Sequence, residues 1–221
     1  MSTENQENQT ENQTETPKPK ASMAIKLLLA LAVISTLFFF AFIVRGSWAS
    51  STPKIPTSVE QGIVTQLYLT PTGQKEIHCY SVLNYPAKDV WQVVTDYEHF
   101  AEIFGGKFWS IKISKVEKKE NNIFHMAGEV TSTIGTWPMD VDITHTETSE
   151  KYVASWDKPG DVVKINRGSW TITPISADKT LVVYSLESQI SPFPQFVTNN
   201  VFLSQLKPVI KAVENRLKTT K

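Results

Sequence analysis

Residues 194–217 read PQFVTNNVFLSQLKPVIKAVENRL, and at helical spacing Phe196, Leu203, Leu206, Ile210, Val213 and Leu217 fall on one stripe. Phe202 and Val209 widen it into a broad apolar face. Ser204, Lys211, Asn215 and Lys218 fall on the opposite side, so the segment reads as an amphipathic helix. Pro208 sits on that polar side, where the N–H bond it cannot make to the Ser204 carbonyl is least costly and the helix is free to bend. A helix of this length closing a strand-rich chain needs a large apolar surface to cover.

The chain before it supplies that surface. Gly62–Leu69 alternates weakly, Pro71-Thr72-Gly73 turns, and Glu76–Leu83 follows, which together read as a hairpin. Pro86 then opens a helix with Asp89 in its first turn, favourable to the helix dipole. Val90, Val94 and Tyr97 share one face of it, with Trp91 beside them. A second short helix is expected over His99–Phe104, ended by Gly105-Gly106. Alternating segments follow: Trp109–Val116, the turn at Asn121-Asn122, Ile123–Thr133, the half-buried strand around Met139, Val141 and Ile143, then Val153–Trp156, Val163–Thr173 and Leu181–Ile190. Consecutive strands with short turns give an antiparallel meander. The class is α+β. A curled sheet round one helix, with two short helices at one end, leaves room for an apolar cavity with a few polar anchors.

Ahead of this domain, residues 1–23 repeat a Glu-Asn-Gln/Thr theme and end in a Lys- and Pro-rich stretch, a composition expected to stay disordered. Residues 27–44 (LLLALAVISTLFFFAFIV) contain Ser35 and Thr36 as their only polar side chains. Such a helix measures roughly 27 Å at ~1.5 Å per residue, near the hydrocarbon thickness of a bilayer. Lys26 and Arg45 bracket it, and Trp48 stands where an interfacial aromatic belongs. The expectation is a single transmembrane helix over 24–45, a linker over 46–58 and the ligand-binding domain over 59–221. A secretory signal cleaved near Ser47-Trp48-Ala49 is the rival reading. Lys18, Lys20 and Lys26 against Arg45 and Lys54 favour a cytoplasmic N-terminus, and either reading places the domain on the periplasmic or extracellular side.

The 221 residues carry 22 basic and 22 acidic side chains. That balance leaves no electrostatic footprint for nucleic acid. Cys79 is the only cysteine, which excludes an intramolecular disulfide and a cysteine-based zinc cluster. His78, His99, His125 and His145 show no ligand spacing, so no metal or cofactor is assigned.

Three stretches resemble the START-like superfamily, also called SRPBCC. Ala87–Phe104 (AKDVWQVVTDYEHFAEIF) matches its opening helix. Gly168-Ser169-Trp170-x-Ile172 with Thr180-x-Val182-x-Tyr184, and Pro192-Phe193-Pro194 leading into the last helix, match two later segments. The similarity covers roughly residues 60–218 and is greatest to the polyketide cyclase/dehydrase-like and coenzyme Q-binding branches. One departure is the stretch Phe100-Ala101-Glu102-Ile103-Phe104-Gly105, where relatives often read Tyr-Pro-x-Phe-x-Pro, so the loop at the tunnel mouth is expected to differ.

The resemblance implies a helix-grip fold, a seven-stranded antiparallel sheet curled round the C-terminal helix. It also implies a tunnel for a lipid, polyketide, sterol or quinone-like ligand, of which a lipid or an isoprenoid quinone is the expected one. On that fold the tunnel wall is expected to draw on Trp91, Phe104, Phe108, Met126, Met139 and Val141, and on Trp170, Tyr184, Phe196, Phe202 and Leu206. Trp170 and Tyr184 each add a polar handle that needs a partner when buried.

No Ser-His-Asp arrangement, phosphate loop or metal motif appears, and no catalytic residue is assigned. Asp140 and Asp142 alternate with the inward residues and are expected to face solvent. Asp96 is expected to anchor the helix–helix turn, and Glu129 and Arg167 to be within reach of each other across the sheet. The functional expectation is a carrier or sensor of a hydrophobic small molecule. A cyclase or aromatase-like enzyme in the same fold, and an interaction module whose cavity is filled by its own side chains, are the alternatives.

Overall fold

A computed structural model of the chain describes residues 23–47, 49–50, 53–105, 109–132 and 135–220. The polar tail over 1–22, Trp48, Gly106, Phe108 and Thr133 therefore lie outside the described residues. The chain divides into two units, 1–40 and 41–221.

Helix α1 spans Met23–Ser47, with Thr36 Oγ1 donating to the Ala32 carbonyl at 2.8 Å, the local back-bond open to a threonine in an apolar helix. The single-pass anchor expected over 24–45, and the localisation drawn from it, are corrected here. Among the described residues, no helix is long and apolar enough to cross a membrane.

In the second unit, β1 (Val64–Leu69) and β2 (Lys75–Leu83) form the expected hairpin. Helices α2 (Ala87–Val94) and α3 (Phe100–Phe104) follow, separated by a 3₁₀ turn over Tyr97–His99. Six strands come next: β3 (Trp109–Lys118), β4 (Ile123–Ser132), β5 (Gly135–Glu147), β6 (Tyr152–Asp157), β7 (Val163–Ser176) and β8 (Lys179–Ile190). Asn121 and Asn122, both at φ 58°, turn β3 into β4, a left-handed conformation that asparagine tolerates better than most residues. After β8 the chain passes a cis Ser191–Pro192 bond into α4 (Gln195–Thr219).

The strands form one sheet in the order β1-β2-β8-β7-β6-β5-β4-β3, and every pairing is antiparallel. It holds eight strands, not the seven expected, because each of the six alternating segments after α3 forms a strand of its own. Register shifts in β3 and twice in β7 add the local twist that curls such a sheet.

The segment read as a linker is partly docked. Ser50 pairs with the edge strand β1, its N–H donating to the Leu67 carbonyl at 2.8 Å and its carbonyl accepting from the Leu69 N–H at 2.7 Å. A 3₁₀ turn over Thr57–Gln61 then buries Val59 against Tyr68 and Tyr80, in a small cluster separate from the main core.

Helix α4 runs unbroken through Pro208, which is exposed as its polar-side position requires. Its apolar stripe, Leu203, Leu206, Val209, Ile210, Val213 and Leu217, is buried in the main core, packing on β1, β2 and β8 with α2 and α3 alongside. Eight strands span about 34 Å at ~4.8 Å each, whereas a helix with its side chains is ~10–12 Å wide. One helix therefore seals one side of the sheet and leaves the strands β4–β7 to be covered by something else.

Candidate functional site

Under that uncovered part of the sheet lies a cavity of about 1020 Å³, room for about thirty water-sized groups at ~30 Å³ each. Inward-facing residues of β4–β8 form its roof: Met126, Val141, Ala154, Trp170, Tyr184 and Leu186 all border it and are all buried. Tyr97, Phe100 and Phe104 close one end, and Val197, Thr198, Val201 and Phe202 of α4 form a second wall. The turn from Lys158 to Val162 and the start of β5 border it where side chains reach solvent, so the mouth lies there.

Aromatic rings dominate the enclosed part. Trp170 and Tyr184 stand opposite each other on β7 and β8, centroids 4.5 Å apart. Phe104 meets Trp170 edge-on at 6.1 Å and stacks on Phe100 at 4.0 Å. Trp156 lies against Tyr184 at 5.9 Å, and its Nε1 donates to Asn166 Oδ1 at 3.2 Å. Gly168 permits that placement. A Cβ there would stand 2.3 Å from the Ser185 carbonyl oxygen and 2.7 Å from the Trp156 ring. Gly168→Ala is therefore expected to cost about 1–3 kcal/mol by overpacking, and to shift tryptophan emission as Trp156 is displaced; thermal unfolding with fluorescence reads both.

Of the residues read from sequence as tunnel wall, Phe104, Met126, Met139, Val141, Trp170, Tyr184 and Phe202 border the cavity. Trp91 and Leu206 do not. Leu206 is core beneath α4, and Trp91 packs on Tyr152 and His145 with its Nε1 donating to Glu147 Oε1 at 3.2 Å. Phe196, half-buried in the first turn of α4, also stands outside the lining, and Phe108 is outside the described residues. Sequence reading missed Tyr97, Trp137, Trp156 and Thr198. The signal for Thr198 was present, since it lies four residues before Phe202 on the same helical face.

Charged residues play mostly structural parts. Arg216 on α4 donates to Asp96 Oδ2, to Glu102 Oε2 at 3.3 Å and to the His99 carbonyl at 3.3 Å. Asp96 thus ties the α2–α3 turn to the last helix. Arg167 does not reach Glu129, which lies three strands away. It forms a two-pronged pair with Glu187 on the adjacent strand, at 2.7 and 3.0 Å, and Glu187 is only 3% exposed. Asp142 faces outward and accepts from Lys119 at 2.8 Å and His125 at 2.9 Å. Those hydrogen bonds, Lys119 first, hold its carboxyl below the usual range. Asp140, also half-exposed, sits 3.5 Å from Lys158.

At the enclosed end, Tyr97 Oη lies 2.5 Å from His145 Nε2, with Phe124 stacked on the imidazole at 4.4 Å. Burial pushes the Tyr97 phenol well above its ordinary value and pulls the His145 imidazole below its own. Both are therefore neutral near pH 7. Burial likewise pushes the Cys79 thiol up to about 12, which leaves it protonated and unreactive. Among the described residues no group of three His, Cys, Asp or Glu converges to hold a metal ion. What the arrangement offers is an enclosed, ring-lined space with hydrogen-bonding groups on its α4 side.

Solved structures with this arrangement carry related descriptions. A STAR-related lipid transfer protein from Xanthomonas axonopodis superposes with a TM-score of 0.58 at 17% identity, covering 76% of this chain and 98% of its own. The lipid transfer and protein localization domain of human StarD13 gives a TM-score of 0.58 at 11% identity, over 83% and 95%. Human StAR-related lipid transfer protein 5 gives 0.56 at 11% identity, over 90% and 99%. At such identities the likeness is one of fold. No curated protein matches the sequence. Residues 83–214, more than half of the chain, match the family described as polyketide cyclase / dehydrase and lipid transport, and the chain belongs to that family within the START-like superfamily.

Proposed function

We propose that this protein binds a hydrophobic small molecule, a lipid or an isoprenoid quinone, inside the cavity, and acts as its carrier or sensor. The observation that carries the reading is the cavity itself: about 1020 Å³, walled by apolar and aromatic side chains and wide enough for a ligand of several tens of heavy atoms. A core packed only for stability is filled to crystal-like density, and an unfilled apolar space of this size has no stabilising role of its own. The size also weighs against an interaction module with a filled interior.

The test is uptake from membranes. Ligand-free full-length protein is incubated with phosphatidylcholine vesicles with or without an isoprenoid quinone, re-isolated, and its extract analysed by mass spectrometry. The expected result is one hydrophobic molecule per chain, returned chemically unchanged. Protein that leaves both vesicle types without lipid or quinone sinks the reading. A ligand returned with altered mass would replace the carrier with an enzyme of the cyclase or dehydrase kind.

A further inference from the structure

Thr198 stands one turn inside α4 and borders the cavity. It is 3% exposed, and among the described residues its Oγ1 has no hydrogen-bond partner. A threonine in a helix ordinarily turns its hydroxyl back to the carbonyl three or four residues earlier. Its helical neighbours do so: Asn200 Nδ2 donates to the Phe196 carbonyl at 2.8 Å and Ser204 Oγ to the Val201 carbonyl at 2.6 Å. Thr198 does not, so a buried hydroxyl stays unpaired in the wall of an otherwise apolar space, a costly arrangement unless something binds there.

Two further buried polar residues border the same cavity, Ser188 on β8 and Asn200 on α4, at 6% and 3% exposure. Ser188 stands opposite Asn166 of β7 in register, and Asn166 borders the cavity too. None of the four is charged. The charged groups of the lining, Asp140, Lys158 and Asp161, are exposed at the mouth, where water screens them. Met126, on the far side, belongs to a strand four places from β8 in the sheet. The cavity is thus polar but uncharged on one side and apolar on the other.

From this we infer that Thr198, in the cavity wall to which Ser188 and Asn200 also contribute, is a headgroup subsite for an uncharged oxygen function, a hydroxyl or a carbonyl, of a ligand whose apolar body extends toward Met126 and Tyr97. The inference rests on the cavity being a ligand site and adds the ligand's polarity, orientation and lack of charge. A hydroxyl both donates and accepts, so Thr198 Oγ1 serves either headgroup. Among the described lining residues the cation is Lys158, which is exposed and sits 3.5 Å from Asp140, so a carboxylate or phosphate held at the buried Thr198 would lack a free counter-charge, which is prohibitive.

Calorimetric titration of the full-length protein with 1-dodecanol, n-dodecane and dodecanoate tests this. The wild type is expected to bind dodecanol about tenfold or more tighter than dodecane, and tighter than dodecanoate. Thr198→Val, which exchanges the hydroxyl for a methyl group, is expected to cut the dodecanol-to-dodecane ratio about five- to tenfold, the scale of one buried hydrogen bond. It should raise the Tm of the ligand-free protein, because an unpaired buried hydroxyl is gone. Thr198→Ser is expected to keep the wild-type ratio. An unchanged ratio in Thr198→Val, or dodecanoate bound as tightly as dodecanol, overturns the subsite while leaving the cavity reading intact. Failure of all three compounds to bind the wild type overturns the cavity reading and the subsite with it.

Discussion

Ile210→Ala is expected to lower the unfolding free energy by about 2–5 kcal/mol, the usual cost of removing a large aliphatic side chain from a site that cannot collapse. Ile210 is fully buried in the main core, on the stripe of α4 that faces β1, β2 and β8. Its neighbours are held by the sheet on one side and by α2 and α3 on the other, so little movement is available to fill the space. Against a typical total of ~5–15 kcal/mol, this is a large fraction of the stability. In urea the midpoint should fall with the slope unchanged, whereas Ile175→Ala, at a residue 50% exposed, should stay within about 0.5 kcal/mol of wild type. Equal midpoints for the two variants would mean that α4 does not carry the core.

Ala154→Trp is expected to reduce uptake of lipid or quinone from vesicles at least about tenfold while the protein remains folded. Ala154 is 1% exposed, borders the cavity from β6 and stands opposite Trp170 on β7. An indole built there extends into space a ligand would occupy, and occupied volume cannot be shared. Overpacking in a filled core ordinarily costs ~1–3 kcal/mol; here the added ring enters a void, so the Tm should change little. Leu186→Phe, a smaller addition in the same wall, guards against a misfolded tryptophan variant and should reduce uptake in the same direction. Undiminished uptake by folded protein in both variants would place the ligand elsewhere.

The large features of the fold were legible because they are written in period and length. The apolar stripe from Leu203 to Leu217 repeats at helical spacing, and Met139, Val141 and Ile143 alternate with Asp140, Asp142 and Thr144 on an edge between core and water. The count of seven strands came from the resemblance, whereas the six alternating segments after α3, Val153–Trp156 among them, each pair as a strand. The apolar run over 27–44 has bilayer length in sequence, but that length alone did not decide the anchor.

Within the site, sequence distinguishes apolar from polar but not core from cavity wall. Trp91 and Trp170 look alike in pattern, yet one is enclosed by Tyr152 and His145 while the other borders open space. That difference is set by which strands α4 fails to cover. Thr198 was passed over because a polar residue on an apolar stripe is ordinarily a tolerated interruption, and only its unpaired, buried hydroxyl marks it. Glu187 was missed because a carboxylate in an apolar strand acquires meaning only beside Arg167, twenty residues earlier, once register places them together.

The most direct measurement is native mass spectrometry of the full-length protein purified from cells under mild conditions. A cavity of about 1020 Å³ with apolar walls should not travel empty in a cell rich in hydrophobic molecules. The expected spectrum contains the chain plus one hydrophobic molecule, displaced by organic solvent and absent from Ala154→Trp. A wild-type spectrum of bare polypeptide alone, under conditions that preserve the fold, would contradict a ligand-holding cavity.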